Sequence, residues 1–158
     1  MTITQIAEKM IAFSDGNLHD IRHFLEVWAY AKLIAEEEKL DDETKKITEV
    51  AALTHDIACP LCRKKYGNTD GRLQEIEGEP LVREFLCGTG LSEKEIDRVT
   101  AAKAADELLT LSGIHASVVL YKHGTGVNLS ARSLGEINVQ FIMEKLGGGG
   151  NSTTAGGQ

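Results

Sequence analysis

A histidine followed directly by an aspartate, His55-Asp56, ends an apolar helical stretch in which a solvated charged pair is not expected. An imidazole nitrogen and a carboxylate oxygen are ligands that divalent transition metals accept together. A second histidine, His23, lies upstream on another segment with helical spacing. The three residues predict a metal site between helices, with a coordination shell open enough to admit water and so to support hydrolysis.

A further carboxylate from a later helix would complete this set of ligands. Asp106 is the best candidate because small and apolar residues flank it, and Asp97 is a weaker one. An ordinary exposed carboxylate is an equally good interpretation of Asp106. His55-Asp56 is also compatible with a simple helix C-terminus, where the helix dipole favours an imidazolium. His23, taken alone, would be interpreted as an ordinary core or surface histidine.

The remaining histidines and the cysteines are interpreted as structural. His19, His115 and His123 fit exposed helix or loop positions better than ligand positions. Cys59 and Cys62 have the spacing of zinc and redox motifs, but no second pair accompanies them. A packed loop beside the site is therefore favoured over a structural zinc. The odd number of cysteines, three, favours reduced thiols over a disulfide framework.

Charge and hydropathy restrict the class of partner. The formal net charge of −7 opposes general binding to a nucleic-acid duplex. A small phosphorylated molecule or nucleotide remains compatible, because a metal and local cations offset the global charge. Arg22, beside His23, and Lys64 and Lys65, after His55-Asp56, are the candidates for phosphate contacts. Without a signal-peptide pattern or an apolar run of about 18 residues, we expect a cytoplasmic protein with no membrane contact.

Helical periodicity supplies the elements that would position these residues. The aromatic fraction is only 5%, which favours helix packing. Apolar residues recur at helical spacing in the segments 2–13, 18–38, 43–56, 72–87, 92–111 and 134–146. The stretch 57–71 is interpreted as a loop. Between 112 and 132 the helical pattern fails: 115–121 fits a short strand or a continued helix, and 122–130 is interpreted as a loop. We predict an all-α single domain of five to seven helices over 1–146, followed by a disordered Gly-rich tail at 147–158.

The arrangement resembles the HD-domain family of metal-dependent phosphohydrolases, in which a histidine, a His-Asp pair and a distant aspartate lie on helices around a metal. His23, His55-Asp56 and Asp106 carry the resemblance, and Cys59–Asn68 is similar to a small bacterial subgroup of the family. The resemblance implies a compact helical domain of HD type, in which His23, His55, Asp56 and Asp106 bind one divalent metal ion. Mn, Fe, Mg, Ni and Zn are all compatible. It also implies that Asp56 is the catalytic residue that orients the nucleophilic water.

The sequence departs from the family pattern after the His-Asp pair. Family members with two metals carry further histidines before the last aspartate, whereas none occurs between Asp56 and Asp106. Gln74 stands near the position of one such histidine. From Thr100 onward the resemblance is weak, which indicates an altered or shortened C-terminal part.

The leading functional hypothesis is a metal-dependent phosphohydrolase that acts on a phosphomonoester or nucleotide through a metal-bound water. The alternative is a catalytically degenerate HD fold that binds a nucleotide or a protein without turnover, and the missing histidines favour it. A third interpretation is a helical interaction domain in which the His-Asp pair is incidental. A homodimer is compatible with each of the three.

Overall fold

The computed structural model describes residues 1–109, 113–123 and 126–157, without the side chains of 103–108 and 121–123. Seven helices and four strands are present in this described part of the chain. They fall into two compact units, the N-terminal unit Met1–Val99 and the C-terminal unit Thr100–Gln158. The predicted boundary near residue 146 therefore differs from the division that the structure shows.

Helices alone build the N-terminal unit. They are α1 (Ile3–Phe13), α2 (Leu18–Glu37), α3 (Asp42–Thr54), α4 (Cys59–Tyr66), α5 (Gly71–Leu86) and the first part of α6 (Glu93–Leu108). Five of them begin at a side chain that accepts a hydrogen bond from the first turn, namely Thr2, Asn17, Asp41, Asp70 and Ser92. Such caps satisfy backbone donors that a helix leaves unpaired. The polar residues between the apolar segments therefore fix where each helix starts.

Helix α4 lies within the stretch that the sequence predicts to be a loop. Pro60 stands in its first turn, where the missing N–H costs nothing and the fixed φ suits a helix. Gly67 ends the helix with φ +75°, a left-handed conformation that glycine adopts without strain. Proline and glycine, which indicate a loop when counted together, here mark the start and the end of a short helix.

One apolar core joins the helices of the N-terminal unit. Its fully buried members include Ile6, Phe24, Val50, Leu53, Ile57, Val82, Leu86 and Val99. Helix α2 packs mainly against α3, and α4 packs against α5. The helical periodicity of the sequence is thus the pattern of this core. Among the described helices, none is both long and apolar enough to cross a membrane.

A four-stranded antiparallel sheet and one helix form the C-terminal unit. Its elements are β1 (Ala116–His123), β2 (Gly126–Ser133), α7 (Val139–Lys145), β3 (Gly149–Gly150) and β4 (Thr154–Gly157), with the strand order β1-β2-β4-β3. Val119 pairs with Ser130, and Ala131 pairs with Ala155. Helix α7 covers the sheet by burying Val139 and Met143 against Ala131 and Ala155.

The prediction of an all-α fold is therefore correct for the helices of the N-terminal unit and wrong for the C-terminal unit. The sheet escaped prediction because its buried positions hold small or polar side chains, such as Asn128 and Ala131, which weaken the alternation of apolar residues. The stretch 147–158, predicted to be a disordered tail, contains β3 and β4 instead, and its glycines give no apolar pattern that would predict a strand. A side chain on Gly148 would overlap the carbonyl oxygen of Gly156, so these glycines permit close backbone pairing.

Candidate metal centre

Two packed helices and the turn after the second one position the predicted ligands. His23 lies in the second turn of α2, which begins at the Asn17 cap. His55 is the residue that ends α3, and Asp56 follows in the turn before α4. Because α2 packs on α3 and Leu53 is fully buried beneath this end of α3, the two histidines face each other across the helix pair.

The three side chains bring their potential ligand atoms together. Nε2 of His23 lies 3.1 Å from Nε2 of His55. Oδ2 of Asp56 lies 3.4 Å from the first of these nitrogens and 3.3 Å from the second. The side chains of His23, His55 and Asp56 are 46%, 28% and 34% exposed, so the cluster is open to solvent. A small ligand can therefore reach it.

The donor set fits a divalent cation. Nδ1 of His55 lies 2.8 Å from the carbonyl oxygen of Ala52, to which it donates, so Nε2 carries the lone pair that faces the cluster. For metal–ligand bonds of about 2.1 Å, ligand atoms are about 3.0 Å apart at neighbouring octahedral positions and about 3.4 Å apart at tetrahedral ones. The three observed separations lie between these values. A borderline cation that accepts nitrogen and oxygen together suits this set.

The other histidines and aspartates considered as ligands either lie outside the cluster or have side chains that the structure does not describe. The side chain of Asp106 lies outside the part of the chain that the structure describes. Asp97 forms an ion pair with Arg83 at 2.8 Å and is not part of the cluster. His115 pairs with Glu136 in the C-terminal unit, and the side chain of His123 lies outside the described residues.

The candidate phosphate contacts are not equivalent. Arg22 and Lys64 are exposed. Lys65 is exposed as well, but its Nζ donates to Glu77 at 2.6 Å, and this hydrogen bond raises the pKa of the Lys65 ammonium. Glu77 also accepts a hydrogen bond from the hydroxyl of Tyr66. Lys65 is thus already engaged by a carboxylate, whereas Arg22 and Lys64 are the better candidates for an incoming phosphate.

Asp20, three residues before His23, and Cys59, three residues after Asp56, make further polar contacts. Asp20 of α2 forms an ion pair with Arg63 of α4. The thiol of Cys59 donates to Oε1 of Gln74 at 3.1 Å, and Nε2 of Gln74 donates to the carbonyl oxygen of Thr69. Burial, followed by the charges of Asp56 and Asp20, raises the pKa of Cys59 to about 12. The thiol is therefore neutral and acts as a hydrogen-bond donor rather than as a nucleophile.

Comparison with known proteins agrees with the residues of the cluster. The model of the HD domain matches residues 20–112, which contain His23, His55, Asp56 and Asp106. This match confirms the family that those residues predict, a family of metal-dependent phosphohydrolases. A second model, the DHHA1 domain, matches residues 78–158 and so includes the whole sheet. No motif singled out in the sequence predicted this second domain.

Three curated proteins are similar to parts of the chain. The cyclic-di-AMP phosphodiesterase GdpP of Geobacillus thermodenitrificans is 46% identical over 100 residues, which are 62% of this chain and 15% of that protein. The cyclic-di-AMP phosphodiesterase PdeA of Listeria monocytogenes is 49% identical over 75 residues, or 47% of this chain and 11% of that protein. GdpP of Bacillus subtilis is 43% identical over 91 residues, or 55% and 14%.

The chain thus spans less than a sixth of the length of these relatives, whereas each of the two family models matches more than half of the chain itself. The chain belongs to the HD domain family, and its C-terminal part is a DHHA1 domain.

Proposed function

We propose that the protein binds one divalent cation through His23, His55 and Asp56, and that it hydrolyses a phosphate ester of a nucleotide. The convergence of two imidazole nitrogens and one carboxylate oxygen, 3.1–3.4 Å apart, is the observation that carries the proposal. Asp106 is the proposed fourth ligand. When bound, a divalent cation supplies Lewis acidity toward water and a phosphoryl oxygen.

We assign a separate role in the reaction to each of the neighbouring residues. The hydrogen bond from His55 to Ala52 holds the imidazole in the tautomer that presents Nε2. The carboxylate of Asp56 is the proposed catalytic group, which orients the attacking water and accepts its proton. Arg22 and Lys64 are the proposed contacts for the substrate phosphate. Lys65 is a weaker candidate because a phosphate would have to compete with Glu77 for it.

The relatives support a cyclic dinucleotide as the first substrate to test. All three are named cyclic-di-AMP phosphodiesterases, and they are 43–49% identical over the parts that match. We therefore propose phosphodiester hydrolysis of a cyclic dinucleotide, with nucleoside monophosphates as the second class. We also propose that the protein binds its nucleotide without needing a nucleic-acid duplex or a membrane.

Binding without turnover is the second candidate function. Gln74 stands near a position where members with two metals carry a histidine, and both polar ends of its side chain are engaged, by Cys59 and by the backbone of Thr69. Its amide is thus used to fasten the start of α5 to α4 rather than to hold a second cation. A chain of this kind would bind metal and nucleotide but release no product.

The deciding experiment is metal analysis of the full chain, wild type beside Asp56→Ala, with Asp42→Ala as the control for an exposed aspartate. We expect about one equivalent of a transition metal in the wild type and in Asp42→Ala, and loss of it in Asp56→Ala. Chromatography of cyclic-di-AMP incubated with Mn, Fe, Mg or Ni then tests turnover. Metal and nucleotide bound without product would support the second candidate, whereas no metal in the wild type under any of these conditions would refute both.

A further inference from the structure

The ion pair between Asp20 and Arg63 connects the two sides of the metal cluster. Asp20 belongs to α2, which also carries His23, and Arg63 belongs to α4, which follows Asp56. The Asp20 side chain is only 13% exposed, so its carboxylate is largely withdrawn from water. Arg63 is 38% exposed, so the pair is partly screened by solvent, but less than a pair in which both groups are exposed.

Each partner of the pair is fixed to one ligand of the cluster. Asp20 precedes His23 by three positions on one helix, so the two side chains lie on the same face. The backbone N–H of Asp20 also donates to the Asn17 side chain, which anchors the carboxylate at the start of α2. On the other side, the N–H of Cys59 donates to the carbonyl oxygen of Asp56 at 2.9 Å. The first residue of α4 is therefore hydrogen-bonded to the backbone of Asp56.

The ion pair joins two helices whose main packing partners are other helices. Helix α2 packs mainly on α3, whereas α4 packs on α5, so each helix has its main apolar contact elsewhere. A change in the position of α4 relative to α2 would alter the distance between Nε2 of His23 and Oδ2 of Asp56, which is 3.4 Å. The affinity of a site for a cation is sensitive to such displacements, because the ligand atoms must stay close to the bonding distance.

We infer that Asp20 and Arg63 are a positioning pair, which holds His23 at the correct distance from Asp56 and thereby sets the affinity of the site for a cation. The inference rests on the proposed cation binding. Neither residue touches the reacting atoms. Oδ2 of Asp20 is engaged by Arg63, and Oδ1 lies 3.5 Å from Nδ1 of His19, so we assign this carboxylate to fixing the helices rather than to binding the cation.

The test is the affinity of the full chain for Mn²⁺, measured by isothermal titration. Asp20→Asn keeps the shape of the side chain and removes its charge, and we expect about a tenfold loss of affinity, the lower end of the effect of residues that orient ligands. Arg63→Lys keeps the charge and loses the planar fork, so we expect a smaller loss. Glu43→Gln is the control, because it breaks the ion pair with Arg98, which joins α3 to α6 in the same unit.

The melting temperature of the metal-free protein separates positioning from general stability. A positioning pair predicts that Asp20→Asn loses Mn²⁺ affinity while its metal-free Tm falls no more than that of Glu43→Gln. Should Asp20→Asn not fold, Asp20→Glu takes its place, and the same loss of affinity is expected because the longer side chain moves α4.

Mn²⁺ affinities within twofold of the wild type in Asp20→Asn or its replacement would overturn the inference and leave the proposed function intact. A wild type that binds no Mn²⁺ would contradict the proposed function, and the inference with it.

Discussion

Each of the two units of this chain is stabilised internally by a different kind of contact. In the N-terminal unit, large apolar side chains such as Phe24, Leu53 and Ile57 pack between helices, and the polar cluster lies at the edge of that core. Among the described residues of the C-terminal unit, the core cluster is formed by Ala131, Val139, Met143 and Ala155, and antiparallel backbone pairing joins the strands. The cluster on the helices therefore depends on side-chain packing, whereas the sheet depends on how closely its backbones approach one another.

The units also differ in what their histidines can do. His23 and His55 share a cluster with a carboxylate and face solvent. His115 in the C-terminal unit pairs with the exposed Glu136 at 2.7 Å, without a third ligand among the described residues. An isolated exposed pair of this kind contributes little to stability and holds no cation strongly. Among the described side chains, those proposed to bind the cation therefore belong to the N-terminal unit.

The largest expected effect tests this difference in histidine function. His23→Ala removes one of three converging ligand atoms, so we expect a loss of metal affinity well beyond the roughly 10–100-fold produced by changing a residue that only orients a ligand. His115→Ala is the matched control in the other unit and should leave the affinity unchanged. Metal content and titration of both variants measure this. Equal affinities in the two variants would remove the functional distinction between the units.

The second prediction concerns the core that supports the site. Leu53→Ala creates a cavity beside the His55-Asp56 end of α3, and we expect a loss of about 2–5 kcal/mol in the free energy of unfolding. Leu33→Ala, on α2, is the control, since Leu33 is 58% exposed and should change the stability by less than about 0.5 kcal/mol. Urea denaturation followed by helical circular dichroism provides the comparison. A similar small effect of both variants would contradict the packing described for the N-terminal unit.

The convergence of His23, His55 and Asp56 could be anticipated from the sequence because it depends on helical periodicity, which large apolar side chains report clearly. Helix α4 could not, because Pro60 and Gly67 indicate a loop until the spacing between them is considered. The ion pair between Asp20 and Arg63 was also missed. Their contact joins positions far apart in the chain, and no local pattern predicts which charges of two helices will meet.

The C-terminal unit was harder to predict because its pattern is weak in the residues that usually show a strand. Val118 and Val119 are β-branched and indicate a strand, but β2 buries Asn128, Ala131 and Ser133, of which only one is apolar. The glycines of the C-terminal stretch resemble a flexible linker in composition. Their function in the sheet becomes visible only when the neighbouring backbone is known.

The third prediction tests whether those glycines are structural. A Cβ on Gly148 would overlap the carbonyl oxygen of Gly156, so Gly148→Ala should destabilise the C-terminal unit by about 1–3 kcal/mol. Gly149→Ala is a control one residue away, where a Cβ would meet nothing within 4 Å. Hydrogen exchange of the amides in β2 and β4 measures the effect unit by unit. If both variants protect these amides equally, the close approach of the backbones is not what holds this sheet edge.

The smallest expected effect on stability compares a partly buried ion pair in the N-terminal unit with an exposed one in the C-terminal unit. Glu95 is 17% exposed and accepts hydrogen bonds from Lys46 at 2.7 Å and from the backbone and hydroxyl of Ser92. The bond from Lys46, followed by those from Ser92, lowers the pKa of Glu95 from 4.5 to about 2. Because the folded state holds the carboxylate more strongly than the unfolded chain does, this contribution is complete above pH 4.5 and is lost as the pH falls toward 2.

Glu95→Gln should therefore lower the free energy of unfolding by about 1–2 kcal/mol at pH 7 and by much less near pH 2. Glu136→Gln, which removes the exposed partner of His115, should change the stability by less than about 0.5 kcal/mol. Urea midpoints between pH 2 and 7 measure both. A Glu95→Gln effect that stays constant across this range would show that the residue contributes through packing rather than charge. The N-terminal unit would then differ from the C-terminal unit in its apolar core and in the cluster of His23, His55 and Asp56, but not in its ion pairs.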